Sequence, residues 1–186
     1  MHEFIKYIQK YISVSEELKN VIKNVVVVED YEKGEQLVKQ GKICNKTYFI
    51  LQGTARVYYY LEGKDITNWV YPQNVIFTSW NSYILRKPAS ENIEVLEEST
   101  VLSLSYDNWQ ELYSSYPEFE RFGRMIAEEN VATIDDFYKE FYFLNAKEKY
   151  EKLLEYYPSI INRANLGHIA SMLGISQETL SRARGK

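Results

Sequence analysis

Residues 166–184 read LGHIASMLGISQETLSRAR. Ala170 is small enough to let two helices cross closely. Gly174 follows four residues later, where a tight turn needs the left-handed backbone that glycine reaches without a Cβ clash. Ile169, Leu173, Ile175, Leu180 and Ala183 fall on inward positions that hold a helix pair together, and Ser176 is placed to cap the second helix. The pattern is that of a helix-turn-helix of the DNA-binding kind; an ordinary helical hairpin is the alternative.

If the second helix enters a major groove, Gln177, Glu178, Ser181 and Arg182 point outward at helical spacing. Arg182 suits a bidentate contact to guanine and Gln177 suits adenine. Glu178 can accept from a cytosine amino group, or simply be a solvated charge favoured by the helix dipole. Ser176 and Thr179 are better placed for phosphates, while Arg184 near the helix end adds positive charge.

Charge supports this. From Ser159 onward Arg163, Arg182, Arg184 and Lys186 stand against Glu178 alone, a net +3, so the remainder carries −7 of the total of −4. A locally basic end on an acidic body suits a DNA-binding module attached to another domain. The lone Cys44 excludes an internal disulfide, a four-cysteine iron–sulfur cluster or a four-cysteine zinc site. Cys44 as a redox sensor is the weaker alternative to an ordinary cysteine. Two histidines are too few for a histidine-rich metal site, and no catalytic-triad, phosphate-loop or zinc spacing occurs, so the chain does not read as an enzyme. No apolar run approaches the roughly 18 residues of a membrane span. The amino terminus lacks a signal-peptide core, so the expected compartment is the cytoplasm.

Working back from the tail, three textures follow one another. Residues 1–24 mix Ile, Tyr and Leu at helical spacing with Lys and Glu, as in one or two short helices. From Val25 to Tyr106, β-branched and aromatic runs such as Tyr48-Phe49-Ile50-Leu51 and Val57-Tyr58-Tyr59-Tyr60 alternate with turn signals at Lys33-Gly34, Gly41, Gln52-Gly53, Glu62-Gly63 and Pro72-Gln73-Asn74. Many short strands at that spacing predict a barrel, roll or sandwich. From Trp109 the texture is helical. Pro117 sits where a first helical position would be. Phe119, Phe122, Ile126, Thr133 or Ile134, Phe137 and Phe141 then recur in steps of three and four. Asn145 is a plausible cap for a helix from Ala146 to Tyr157, which Pro158 closes.

This order resembles the CRP/FNR (cyclic-AMP receptor protein / Fnr) family of bacterial regulators over nearly the whole chain. In the strand region the resemblance rests on Lys33-Gly34-Glu35-Gln36-Leu37, Gly41 and the stretch Tyr48 to Tyr58. In the tail it rests on Ile175 to Arg182, where Glu178 and Arg182 match base-reading positions. Gln177 departs from the arginine of the cyclic-AMP receptor at that contact. The resemblance implies an α+β chain in three parts. Residues 1–117 would form a cyclic-nucleotide-binding-like β-roll (double-stranded β-helix) with amino-terminal helices. Residues 118–144 would be a long dimerisation helix, and residues 145–186 a helix-turn-helix domain. The β-hairpin wing that follows the recognition helix in well-known members is absent from this sequence, by nature or by truncation.

The family's cyclic-nucleotide cassette needs a Gly-Glu pair for the ribose and an Arg-Ser or Arg-Thr pair for the phosphate. Here those sites read Ile76-Phe77-Thr78-Ser79-Trp80 and Lys87-Pro88-Ala89-Ser90, and neither pair is present. A phosphate buried without its arginine is costly. Cyclic AMP is therefore not expected, nor any other cofactor, although another small-molecule effector would find Trp69, Phe77, Trp80 and Tyr83 as an apolar lining with Arg86 or Lys87 at its mouth. The alternative is that these aromatics simply fill the roll.

The resemblance also implies a homodimer, with Phe119, Phe122, Ile126, Thr133 and Phe137 at the interface; in a monomer the same stripe would pack on the roll. A twofold pair of recognition helices matches a palindromic site on double-stranded DNA. RNA polymerase is a candidate further partner and no membrane is expected. The reading is a DNA-binding transcription regulator under a β-roll sensor of unknown effector. The alternative is an effector-less binding or scaffold protein that keeps the fold.

Overall fold

The computed structural model describes residues 1–185, apart from the side chain of Glu140. Two amino-terminal helices, α1 (His2–Gln9) and α2 (Glu16–Val25), precede eight strands: β1 (Val27–Tyr31), β2 (Gln36–Val38), β3 (Lys46–Gln52), β4 (Ala55–Leu61), β5 (Lys64–Tyr71), β6 (Ile76–Phe77), β7 (Asn92–Val95) and β8 (Ser99–Ser105). A short helix, α3 (Trp80–Leu85), interrupts them between β6 and β7. The strands pair antiparallel in two four-stranded sheets, ordered β1-β8-β3-β6 and β2-β7-β4-β5. This is the β-roll.

Strand alternation sorts side chains between two cores. Tyr48, Ile50 and Val101 turn inward, where they meet Val57, Phe77, Ile93 and Val95 from the rest of the roll. Their neighbours Phe49, Leu102 and Leu104 turn outward. There they pack against α1, α2, α4 (Tyr106–Ser115) and the start of the long helix α5 (Pro117–Phe143). Pro117 opens α5, where its missing N–H would have had no partner anyway. Gly123 is required by close approach: a Cβ there would lie 1.9 Å from the Tyr113 hydroxyl of α4.

The apolar stripe expected at a dimer interface divides. Phe119, Phe122 and Ile126 are buried within their own chain, stacked among Trp109, Tyr113 and Tyr11. Phe137 packs edge-on against Trp69 of β5 at 4.8 Å and stacks on Phe141 at 3.9 Å. Thr133 is exposed. Three of the five interface candidates are thus buried in the outer core and Phe137 is half-buried, because the stripe is the face of α5 that packs on its own chain. A second stripe, Val131, Ile134, Tyr138 and Tyr142, is between 54% and 80% exposed. At about 100° per residue it lies roughly 120° round the helix from the first.

The carboxy-terminal helices are α6 (Ala146–Tyr156), α7 (Ile160–Arg163), α8 (Leu166–Met172) and α9 (Gln177–Arg184). Asn145 caps α6 in a reciprocal capping box with Glu148. Phe141, Tyr150, Leu153, Ile160, Ile169, Leu173 and Leu180 form their shared core, which also takes in Val70 of β5. The bundle therefore sits on the outer face of the second sheet.

Candidate nucleic-acid interface and the roll site

Helices α8 and α9 are joined by a turn in which Gly174 has φ +66°, the left-handed region that a side chain would strain. The Asn165 side chain accepts from the His168 N–H at 2.8 Å and caps α8. Ser176 Oγ accepts from the Thr179 N–H at 3.1 Å and caps α9. Ile169, Ala170, Leu173 and Leu180 are buried between the helices and the bundle, while Ile175 and Ala183 are half-buried. That burial fixes which face of α9 is free. Ser176, Gln177, Glu178, Ser181, Arg182 and Arg184 are all exposed, and Thr179 is half-buried with its hydroxyl 3.0 Å from that of Ser176. The Glu178 carboxyl is held below the usual range, first by its own backbone N–H, then by the Ser176 hydroxyl and the Arg182 charge. Arg182 Nε donates to the Glu178 carbonyl at 3.3 Å, and its side chain is exposed. Lys186 lies outside the described residues.

The outer face of the second sheet carries a charged cluster that sequence reading passed over. Arg56 has a side chain only 6% exposed. It donates from Nε to Glu94 at 2.7 Å, from both terminal nitrogens to Asp65 at 2.7 Å, and to the Thr67 hydroxyl at 2.9 Å. Its guanidinium lies 4.1 Å from the Tyr58 ring centre. Burial disfavours the Arg56 charge, but the bonds to Asp65 and Glu94 outweigh it and raise its pKa. His168 of α8 faces this cluster, and its pKa is lowered, first by burial and then by the Arg56 charge. The sequence signal was available: Arg56 sits between Ala55 and Val57, so strand alternation puts it on the opposite face from two core residues.

The six residues proposed to line an effector pocket do not surround one cavity. Phe77 stacks on Tyr71 at 4.9 Å and packs on Tyr48 at 5.5 Å inside the roll. Trp69 lies at the roll's open edge against Phe137 and Tyr157. Trp80 packs into the outer core beneath the amino-terminal helices. Tyr83 is buried edge-on to Tyr106 at 5.2 Å, Arg86 lies 3.9 Å over the same Tyr106 ring, and Lys87 is exposed. The reason is local. The chain leaves strand geometry after Phe77, and α3 carries the later residues to other faces.

The two segments that stand at the cassette sites are nevertheless brought together. Ser79 donates to one carboxylate oxygen of Glu91 at 2.5 Å and Ser90 donates to the other at 2.8 Å. Ser79 is 1% exposed. The meeting point of the segments is thus held by an internal anion.

Residues 28–116 match the Cyclic nucleotide-binding domain family. A FixK2 structure from Bradyrhizobium japonicum superposes with TM-score 0.68 at 18% identity, covering 87% of this chain and 83% of that one. A protein described as a transcriptional regulator of the CRP/FNR family from Eubacterium rectale gives TM-score 0.69 at 16% identity, covering 91% and 82%. These structures share the fold of this chain. The Thermus thermophilus catabolite activator protein adds TM-score 0.58 at 18% identity, covering 93% and 83%. Comparison with curated protein sequences returns no match. Likeness at these identities shows the fold alone. Among the described residues no helix is long and apolar enough to cross a membrane, and no cluster of His, Cys, Asp and Glu could hold a metal ion.

Proposed function

We propose that the chain is a DNA-binding transcription regulator, with α8 and α9 as its helix-turn-helix and α9 as the groove-reading helix. The observation that carries this is the division of α9. Leu180 is fully buried against the bundle, while Gln177, Glu178, Ser181 and Arg182 form one exposed row directly after the Ser176 cap. Among the described residues, the hydrogen bonds of that row stay within α9 and its cap. It combines base-edge partners with a cation and begins at a helix N-terminus suited to phosphate.

The regulator acts as a homodimer. The exposed Val131, Ile134, Tyr138 and Tyr142 stripe supplies a twofold seam at near-heptad spacing, and a twofold axis along α5 sets two copies of α9 for a palindromic site. RNA polymerase is the partner on which such a regulator acts. The roll takes no cyclic AMP: the Gly-Glu and Arg-Ser pairs are absent, and Glu91 supplies a negative charge between Ser79 and Ser90. Control comes through another effector or through none.

Selection of bound duplexes from random DNA, followed by a salt series on the winning and scrambled sequences, tests the reading. A palindromic consensus bound much more tightly than scrambled duplex supports it. Equal, weak binding to every duplex favours the scaffold alternative.

A further inference from the structure

The face of the roll around α3 has no place in the DNA reading. Ile84 and Leu85, at the end of α3, are 62% and 61% exposed, and Ile43 is 44% exposed. The segments that carry them are tied to each other. Ile43 and Pro88 form an isolated β-bridge, the Ala89 N–H donates to the Lys42 carbonyl at 2.8 Å, and Arg86 donates to the Cys44 carbonyl at 3.1 Å. Arg86 also bonds the Asn45 side chain and takes the left-handed conformation, φ +53°, that ends α3. The aliphatic side chains are therefore held on a rigid platform.

The cations around them are largely unpaired. Among the described residues Lys39, Lys42, Arg86 and Lys87 make no ion pair; Arg86 is bonded to neutral oxygens only. The nearby Glu91 carboxylate is turned to Ser79 and Ser90. A groove of about 310 Å³ is lined by Leu37, Val38, Lys39, Lys42, Ile43 and Tyr48, with Lys46, which pairs with Glu29 at 2.9 Å, also in its lining. Exposed aliphatic side chains beside a groove offer apolar surface that a partner can cover. The uncompensated cations here set the sign of what binds.

We infer that the α3 platform and its groove form a docking surface for an acidic, aliphatic segment of a partner protein. Its carboxylates would meet Lys39, Lys42 and Lys87, and its apolar side chains would cover Ile43, Ile84 and Leu85. A protein segment fits better than DNA, which has phosphates but offers little aliphatic surface to cover these side chains. It also fits better than a lipid surface. Helix α3 has six residues, too short to lie as an amphipathic helix in an interface, and the apolar residues border a groove.

The test uses the full chain and a short fluorescent peptide built of glutamate and leucine, read by anisotropy. Controls are the same peptide with lysine for glutamate, and phosphatidylglycerol vesicles. The glutamate–leucine peptide is expected to bind saturably. The Lys42→Glu/Lys87→Glu pair and, separately, Leu85→Asp should each weaken it about tenfold or more, since both charge and apolar contact contribute. All three positions are exposed, so the variants should unfold at the wild-type denaturant midpoint. No binding of the glutamate peptide, equal binding by every variant, or equal or tighter binding of the lysine peptide would overturn the proposal. Retention on the vesicles that Leu85→Asp abolishes, without peptide binding, would reassign the face to membrane.

Discussion

Ser171 of α8 accepts a hydrogen bond at 2.9 Å from the backbone N–H of Thr67, a residue of edge strand β5 that lies 104 positions earlier. The register of β4 and β5 slips just there, between Val57 and Tyr58. A ladder irregularity leaves backbone groups in need of partners, and the helix-turn-helix supplies one. The roll and the α8–α9 pair are thus joined by a specific polar contact as well as by the packing of Val70. Changing Ser171 to alanine should cost about 1 kcal/mol, the worth of a partly buried hydrogen bond. The urea midpoint should fall at unchanged slope, and the Thr67 amide should exchange faster. An unaltered Thr67 amide would show that the contact does not persist in solution.

The same seam should respond to acid. His168 is half-buried, its Nδ1 has no hydrogen-bond partner among the described residues, and burial with the Arg56 charge lowers its pKa from the ordinary 6.5, against the opposite pull of Asp65 and Glu94. A histidine with a depressed folded pKa is protonated more readily in the unfolded chain. Its contribution to stability is complete above about pH 6.5 and is lost as pH falls through the lower folded value. His168→Gln should therefore flatten the stability profile on the acid side of pH 6.5 and change it little at pH 8. Parallel profiles for the two proteins would remove His168 from the seam's pH response.

Much of this was legible in the sequence because the signals were local. Gly174, the Ser176 and Asn145 caps and Pro117 each act within one turn of chain, and glycine turns with β-branched runs announced the roll. What was missed depends on partners distant in sequence. The Phe119, Phe122 and Ile126 stripe is real, but periodicity cannot say whether a stripe meets its own chain or a copy. The structure gives it to Trp109 and Tyr11. The pocket residues were misplaced because nothing in Trp80-Asn81-Ser82-Tyr83 announces a six-residue helix, and one turn of helix sends neighbouring side chains to different faces. Ser79 and Ser90 were each visible, but their joint hold on Glu91 exists only once β6 and β7 are folded.

The corrected stripe makes the dimer testable. Val131→Glu with Ile134→Glu should give folded monomers in sedimentation, because both positions are more than half exposed in the single chain. Phe122→Ala should instead cost about 3–5 kcal/mol of folding stability, since it empties a fully buried site in the chain's own core. A wild-type protein that sediments as a monomer, or a double variant that stays dimeric, would place association elsewhere.

The roll site predicts that cyclic AMP gives no saturable heat at micromolar concentration. Its phosphate would meet the Glu91 carboxylate between Ser79 and Ser90 in place of an arginine. Like charges brought together in a partly buried site oppose binding, and no compensating cation stands in either segment's pair position. Tight, one-per-subunit binding by calorimetry would refute this.

Arg182 and Arg184 should behave differently on DNA, although both are exposed near the end of α9. Arg182 lies in the same exposed row as Gln177, Glu178 and Ser181, one turn after Glu178, whose carbonyl its Nε touches. That row is the groove-facing side in the proposed mode. Arg184 is the last residue of α9 and is followed by Gly185, so it reaches the backbone of the duplex more readily than base edges. Arg182→Ala should cost about 1–3 kcal/mol on the selected operator and relax specificity at one symmetric base pair. Arg184→Ala should weaken operator and scrambled duplex alike and reduce the salt slope by about one ion. The two effects separate because counterion release carries no sequence information, whereas a bidentate base contact does. If Arg182→Ala lowers both affinities equally across the salt series, Arg182 is a phosphate contact, and α9 lies in the groove by another face.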